Sequence, residues 1–276
     1  MQFDMDLHVD YAKAGLSVPP EQPWMNVYLH KPSQEMQPTQ RKPMMVICPG
    51  GGYQMRSDRE GEPIALQWNA AGYHTATVHY CVLPSPYPTA VLQLAEAVRQ
   101  VRLHADEWNV IPDQVYIMGF SAGGHLACTL GTLWNDPLFY DMFGDDELWK
   151  PNAQVLSYPV VTMGEKTHAG SRKYLLGDDP DPALVHKLSL ENSVSPATVP
   201  TFIWHTMEDT VVPVENTIEY ARALRKNGVP FEMHVYENGP HGMALCNEFT
   251  ANKPCEIQPQ AATWIPLSLA FLSRRR

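Results

Sequence analysis

The segment Val115-Tyr116-Ile117-Met118-Gly119-Phe120-Ser121-Ala122-Gly123-Gly124 decides the fold that the sequence predicts. Its apolar start suits a buried central strand. The small residues after Ser121 favour a helix that begins directly against that strand. A serine between two glycines at so sharp a turn holds strained backbone and needs small neighbours. We interpret Ser121 as a nucleophile beside a helix N-terminus, which favours negative charge. The alternative is a glycine-rich turn that merely contains a serine.

Strands and helices alternate on both sides of this segment. Apolar runs predict strands at residues 3–9, 25–30, 44–48, 74–80, 115–118, 153–158, 201–206 and 231–236. Helical periodicity and small-residue content predict helices at residues 62–71, 89–108, 124–133, 214–227 and 260–272. This alternation predicts an α/β fold with a mostly parallel central sheet and helices on both faces.

The domain organisation is predicted to be simple. No linker long enough to divide the chain is visible, so residues 1–276 are expected to form one domain. Residues 161–200 are rich in Pro, Asp, Gly and His, have weak periodicity and lie between two predicted strands. They are interpreted as a small cap or loop insertion over the site, with residues 134–151 as a second loop.

An earlier apolar run ends in Pro49-Gly50-Gly51-Gly52. Acyl transfer creates a negatively charged oxygen that backbone N–H groups can stabilise, and glycines let the backbone approach it closely. A phosphate-binding loop is disfavoured because no Lys-Ser/Thr follows the glycines, and a simple turn is the other alternative. We expect oxyanion donors at Gly51 or Gly52 and at Ala122. Tyr53, directly after the glycines, is predicted to bind substrate.

A serine hydroxyl needs a histidine that is held in one tautomer by a carboxylate. The chain has 11 histidines, so position must choose among them. His241 lies in a loop after the last predicted strand, which suits the chain order Ser, acid, His. His125 and His205 are interpreted as structural, because one follows Ser121 by a helical turn and the other lies within a strand.

The acid is expected directly after the strand at residues 201–206, where Glu208 and Asp209 compete. We prefer Asp209 because its shorter side chain fits the Asp-x-x-Val-Pro turn. The alternative interpretation of Asp209 is a turn former ahead of the helix at residues 214–227.

Composition excludes several classes of function. The formal net charge of −10 would repel nucleic acid and anionic membrane, whereas a neutral or cationic substrate is compatible with it. No apolar stretch approaches the roughly 20 residues that cross a bilayer, and no signal peptide is visible, so we expect a cytoplasmic protein. An odd number of cysteines without CxxC spacing disfavours disulfides and zinc. The five cysteines are Cys48, Cys81, Cys128, Cys246 and Cys255.

With these pieces placed, the chain resembles the α/β-hydrolase esterases grouped as acetyl xylan esterase-like or hormone-sensitive-lipase-like proteins. Two departures are visible: Pro49 stands where many relatives begin a His-Gly-Gly-Gly motif, and Cys81 stands where many carry arginine. The matching segments, in the family's order, are Pro49–Tyr53, Glu60–Pro63, Gly72-Tyr73, Gly119–Leu126, Asp209–Pro213 and His241-Gly242.

The resemblance implies an α/β-hydrolase fold and a serine carboxylester hydrolase that acts on short-chain acyl esters through an acyl-enzyme, without metal or organic cofactor. The proline-started loop resembles the carbohydrate-deacetylating branch, so the implied substrate is a small-molecule or oligosaccharide ester such as acetylated xylan. An exopeptidase-like hydrolase and a catalytically silent binding protein are the alternatives. Trp134, Trp149 and Trp204 are either sugar-stacking or packing residues. Homo-oligomer formation stays open.

Overall fold

The computed structural model describes residues 1–36 and 41–275. In these two ranges, eight strands form one sheet in the order β1-β2-β4-β3-β5-β6-β7-β8. The strands are β1 Gln2–Asp6, β2 Trp24–Tyr28, β3 Lys42–Cys48, β4 His74–His79, β5 Val110–Phe120, β6 Ala153–Ser157, β7 Thr201–Thr206 and β8 Phe231–Tyr236.

The sheet is mostly parallel, as the sequence predicted. Every neighbouring pair from β4 to β8 is parallel, and β1 and β2 add an antiparallel edge beside β4. The carboxyl ends of parallel strands meet at one edge of a sheet, where ligands of α/β proteins bind. The loops after β3, β5, β7 and β8 therefore converge at one edge, and these loops carry the residues that the sequence singled out.

Helices cover both faces of the sheet. They are α1 Glu62–Ala70, α2 Thr89–Leu103, α3 Ser121–Leu133, α4 Pro137–Phe143, α5 Ala169–Leu176, α6 Pro182–Leu188, α7 Glu215–Lys226 and α8 Trp264–Ser273. Within the described residues, none of these helices has the length and apolar character that a membrane crossing requires.

Strand β3 shows why the central strands are apolar on both faces. Val46 and Cys48 belong to the core layer that α2, α3 and α7 complete on one side of the sheet. Met45 and Ile47 belong to the layer that α1 and α8 complete on the other side. All four side chains are fully buried, so alternate residues of one strand contribute to two different cores.

Two stretches that were predicted to be loops contain helices. Residues 134–151 include α4, and residues 161–200 include α5 and α6. Asp136 and Asp181 cap α4 and α6 with their carboxylates, and each is followed by a proline at the first helical position. His168 caps α5 through its imidazole. These helices are only seven or eight residues long, too short for a visible apolar periodicity.

Candidate active site

The turn at Ser121 has the strained geometry that its sequence predicts. Strand β5 ends at Phe120 and helix α3 begins at the next residue, Ser121, which has a φ of 52°. A Cβ atom at Gly119 would overlap the Gly123 carbonyl group, and one at Gly123 would overlap the Cys48 carbonyl oxygen. The two glycines are therefore required for the tight passage from strand to helix.

Three residues that are far apart in the sequence meet at this turn. Ser121 Oγ lies 2.7 Å from His241 Nε2, and His241 Nδ1 lies 2.6 Å from Asp209 Oδ2. A carboxylate only accepts hydrogen bonds, so Nδ1 carries the imidazole proton and Nε2 is left to accept the Ser121 hydroxyl proton. The structure thus brings together the predicted nucleophile, base and acid.

Asp209 is buried, yet its carboxylate is fully hydrogen-bonded. Oδ1 accepts the backbone N–H groups of Val211 and Val212, each at 2.9 Å. Burial opposes ionisation, but the hydrogen bonds from His205, His241 and Val212 outweigh it and hold the Asp209 pKa well below its usual value. Asp209 is therefore the charged partner that a protonated His241 needs.

Glu208, the competing acid in the sequence, lies elsewhere. Its Oε2 atom accepts the Gly239 backbone N–H at 2.8 Å, so its carboxylate supports the loop that leads to His241. In this geometry Asp209 contacts the imidazole and Glu208 contacts the backbone.

His205 contributes more to the site than the structural role that its strand position suggested. Its Nε2 atom faces two acceptors and therefore carries the proton of the neutral ring, which leaves Nδ1 to accept from the Thr217 hydroxyl at 2.8 Å. That Nε2–H group is shared between the Val212 carbonyl oxygen at 2.9 Å and Asp209 Oδ2 at 3.2 Å. His205, four residues before Asp209, thus donates to the same carboxylate oxygen as His241.

The loop after β3 is anchored through its carbonyl groups. The Pro49 oxygen accepts from the Tyr80 hydroxyl at 2.6 Å, and the Gly50 oxygen accepts from the Ser57 N–H at 2.9 Å. The Gly51 oxygen accepts from backbone N–H groups of the following turn. With its acceptors used internally, the loop keeps a fixed conformation beside the strand end.

The N–H groups of the same loop differ in availability. The Gly50 N–H donates to Glu60 Oε2 at 2.8 Å and is not free for a ligand. Within the described part of the chain, the N–H groups of Gly51 and Gly52 donate to no protein acceptor. The Ala122 N–H lies in the first turn of α3, where N–H groups lack an intrahelical acceptor. These three groups are the donors that the sequence predicted for an oxyanion.

Tyr53 lies inside the protein. Its side chain is 3% exposed, and its hydroxyl contacts His125 Nδ1 at 2.9 Å. His125 Nε2 contacts the Leu188 carbonyl oxygen at 2.9 Å, and burial lowers the pKa of His125 to about 4. The two rings therefore form a neutral buried pair. This burial argues against the predicted contact between Tyr53 and substrate, and it agrees with the structural role predicted for His125.

His168 is a residue near the site that no sequence motif indicated. Its Nδ1 atom accepts the Ser171 N–H at 3.2 Å, so the proton of the neutral ring lies on Nε2. A Cβ atom built on Gly52 would lie 3.6 Å from His168 Cε1. Burial lowers the His168 pKa, the nearby His241 adds to this, and Asp209 opposes it. Nε2–H has no protein partner among the described residues.

The three tryptophans that the sequence offered for sugar stacking lie inside the protein. Trp134, Trp149 and Trp204 are buried, and the indole N–H groups of the last two donate to the Trp134 carbonyl and the Ser157 hydroxyl. All three pack in the interior. Across residues 1–36 and 41–275, no three His, Cys, Asp or Glu side chains converge as a metal-binding group.

Comparison with known proteins places the chain in a family. The BD-FAE family profile matches residues 25–224. The chain is 36% identical over 217 residues to the endo-1,4-beta-xylanase B of Butyrivibrio fibrisolvens, covering 75% of this chain and 33% of that protein. It is 36% identical over 207 residues to an acetylxylan esterase of Xylanibacter ruminicola, covering 73% and 41%. The chain thus spans less than half the length of these curated relatives.

A solved structure matches over nearly the whole chain. The crystal structure of an acetyl ester-xyloside bifunctional hydrolase from Caldicellulosiruptor lactoaceticus has a TM-score of 0.84 and 34% sequence identity. The match covers 99% of this chain and 96% of that one. Because the family profile covers most of the chain and the sheet has the expected topology, this chain belongs to the BD-FAE family and has the α/β-hydrolase fold.

Proposed function

We propose that the chain is a serine carboxylester hydrolase that removes short acyl groups, acetyl in particular, from carbohydrate esters of the xylan type. The observation that carries this proposal is the hydrogen-bonded chain Ser121–His241–Asp209 at the strained end of β5. An acetylxylan esterase and an acetyl ester-xyloside hydrolase among the relatives support the choice of substrate.

The reaction begins with nucleophilic attack. His241 Nε2 takes the Ser121 hydroxyl proton as Oγ attacks the ester carbonyl carbon, and ionised Asp209 stabilises the imidazolium. The carbonyl oxygen becomes negative within reach of the Ala122 N–H and the N–H of Gly51 or Gly52. The imidazolium then protonates the departing sugar oxygen, which leaves an acyl group on Ser121.

Water completes the cycle. His241 takes a proton from a water molecule that attacks the acyl-enzyme, and the same donors hold the second oxyanion. Collapse of this intermediate releases the carboxylic acid, and the proton returns to Ser121. Both halves use the same groups, so the mechanism needs no metal or organic cofactor.

The test is removal of the Ser121 hydroxyl. We expect Ser121→Ala to lower kcat for 4-nitrophenyl acetate by at least about 10⁴-fold and to abolish labelling by a fluorophosphonate. Ser273→Ala, at an exposed position of α8, is the matched control and should keep both. Retention of more than a tenth of the activity in Ser121→Ala would reject the proposal.

Substrate choice requires a second comparison. Initial rates for acetyl, butyryl and octanoyl esters measure the acyl preference, and acetate release from acetylated xylo-oligosaccharides measures the carbohydrate preference. Faster cleavage of an aminoacyl anilide than of the acetyl esters would favour the exopeptidase-like alternative. Failure of wild-type protein to react with the fluorophosphonate would favour a silent binding protein.

A further inference from the structure

Glu60 is a buried carboxylate that the hydrolytic cycle described above does not use. It ends a short 3-10 turn, Asp58–Glu60, and is 4% exposed. Its Oε2 atom accepts the Gly50 N–H at 2.8 Å, and its Oε1 atom accepts the Tyr158 hydroxyl at 2.7 Å. A Cβ atom on Gly50 would lie 3.0 Å from Ser121 Cβ, so this contact lies directly beside the nucleophile.

Tyr158 extends the connection to the histidine loop. Its hydroxyl oxygen accepts the Ala244 N–H at 2.9 Å while its proton is donated to Glu60. The Tyr158 ring contacts the His241 ring edge-on, with centroids 5.1 Å apart. A continuous path of hydrogen bonds therefore runs from Gly50 through Glu60 and Tyr158 to Ala244, three residues after the base.

The contacts of Glu60 are those of an ionised carboxylate. Burial raises the Glu60 pKa, while hydrogen bonds from Tyr158 and Gly50 and the charges of His241 and Arg59 oppose the rise. Both oxygens accept from donors, and a protonated acid would need an acceptor instead. Buried carboxylates are retained where such hydrogen bonds compensate for the loss of water.

The neighbouring residue, Arg59, adds a second contact between this turn and the segment after His241. Arg59 Nη1 donates to Glu256 Oε2 at 2.7 Å and to the Thr250 carbonyl oxygen at 3.2 Å. Both acceptors lie in the segment that follows His241. The turn at residues 58–60 is thus placed between the glycine loop and the histidine loop and contacts both.

We infer that Glu60 is a positioning residue for hydrolysis. Its carboxylate holds the glycine loop through Gly50 and the loop that carries His241 through Tyr158 and Ala244, and so it fixes the position of one loop relative to the other. This inference rests on the proposed function. Glu60 touches neither substrate nor the reacting atoms, so it acts on the alignment of the donors with the base. Such alignment matters because a displacement of about 1 Å can cost on the order of 10²-fold in rate.

Glu60→Gln is a sharp test because the two side chains have nearly the same shape. The amide oxygen can accept from Gly50 or from Tyr158, and the amide nitrogen then faces the other donor. We expect kcat for 4-nitrophenyl acetate to fall by about 10- to 100-fold with KM changed by less than about threefold. A transition-state analogue such as an alkyl boronic acid should lose affinity in parallel with kcat/KM.

Two further variants separate positioning from general loss of stability. Tyr158→Phe removes the hydroxyl and keeps the ring beside His241. Because both residues act through one hydrogen bond, kcat of the Glu60→Gln/Tyr158→Phe double variant should be no more than about twofold below that of the less active single variant. Glu96→Gln is the matched control: Glu96 is 3% exposed and is bonded by Arg99 and Gln100 of its own helix. It should change kcat/KM by less than about threefold.

A readout independent of catalysis is amide hydrogen exchange. We expect the Gly50 and Ala244 amides to exchange at least about tenfold faster in Glu60→Gln than in wild type. The inference would be overturned if Glu60→Gln kept the kinetics and amide exchange rates of wild type, or if its loss of kcat/KM were no larger than that of Glu96→Gln. An inactive Ser121→Ala beside a normal Glu60→Gln rejects this inference alone, whereas an active Ser121→Ala rejects the proposed function. If Glu60→Gln does not fold, Tyr158→Phe carries the same test.

Discussion

His205 Nε2 lies 3.2 Å from Asp209 Oδ2, the same oxygen that accepts from His241 Nδ1 at 2.6 Å. Two imidazoles therefore donate to one carboxylate oxygen, and the Val211 and Val212 N–H groups occupy the other. All four partners are donors, so the position accepts only a group with two acceptor atoms. This is a stricter requirement than simply a short acidic residue.

Asp209→Asn tests that requirement. The amide oxygen can serve one pair of donors, and the amide nitrogen must then face the other pair. If it faces His241, the imidazole is driven to the tautomer with the proton on Nε2, which cannot accept from Ser121. We expect kcat to fall by about 10⁴-fold, measured with 4-nitrophenyl acetate. Glu208→Gln is the control: its amide oxygen can still accept the Gly239 N–H, so kcat should stay within about threefold. Equal losses in both variants would contradict this role for Asp209.

The lowered Asp209 pKa predicts a pH dependence of stability. Its ionised form contributes stability fully above the ordinary aspartate pKa of about 3.9, and this contribution is lost as pH falls toward the lower folded value. The asparagine variant lacks this titration. The difference in free energy of unfolding between wild type and Asp209→Asn should therefore shrink below about pH 4. Urea denaturation at pH 3 to 7 measures it, and a constant difference would contradict the prediction.

Gly123→Ala tests the tight passage between β5 and α3. The added methyl group would meet the Cys48 and Pro49 carbonyl oxygens, which are backbone atoms and cannot rotate away. We expect a loss of about 1–3 kcal/mol in the free energy of unfolding together with reduced kcat, since Ser121 shifts with the helix. Gly164→Ala, whose nearest neighbour is the Thr162 hydroxyl at 3.2 Å, is the control. Unchanged stability and kcat in Gly123→Ala would be inconsistent with this geometry.

His168 is predicted to bind the alcohol part of the substrate. Among the residues that the structure describes, its Nε2–H group meets no protein acceptor, and the ring lies next to Gly52. A neutral hydrogen bond contributes about 0.5–1.5 kcal/mol. His168→Ala should therefore lower kcat/KM for an acetylated xyloside by up to about tenfold and for 4-nitrophenyl acetate by less than about threefold. Equal effects on both esters would argue against a contact with sugar hydroxyls.

The sequence predicted the sheet well because its signals are local. Apolar runs, or alternation of apolar and polar residues, indicate strands within a few residues of sequence. Each of the eight predicted strands overlaps a strand of the structure. Helices α4, α5 and α6 were missed because each has only about two turns, too few for a periodic pattern of apolar residues to show. The Asp-Pro pairs that begin α4 and α6 were the available signal.

The surroundings of the site were less predictable than its centre. Loop position and chain order led to Ser121, Asp209 and His241 as the candidates. The contacts of Glu60 with Tyr158, and the place of His168 beside Gly52, join segments that are distant in sequence. Glu60 lies within Glu60–Pro63, one of the segments that resemble the family, and no local pattern indicates that Gly50 and Tyr158 both donate to its carboxylate. Tyr53 was predicted to bind substrate because it directly follows the glycine loop. In the structure its backbone has a φ of 60° and its ring packs against His125 in the interior.

The burial of the tryptophans has a spectroscopic consequence. Six of the seven indoles are buried, and Trp24 at the antiparallel edge is the exception. Intrinsic fluorescence of this protein should therefore start from a blue-shifted emission maximum and respond chiefly to unfolding. A saccharide that binds beside Ser121 would leave most of that emission unchanged, so binding is better followed with a chromogenic ester or a labelled sugar.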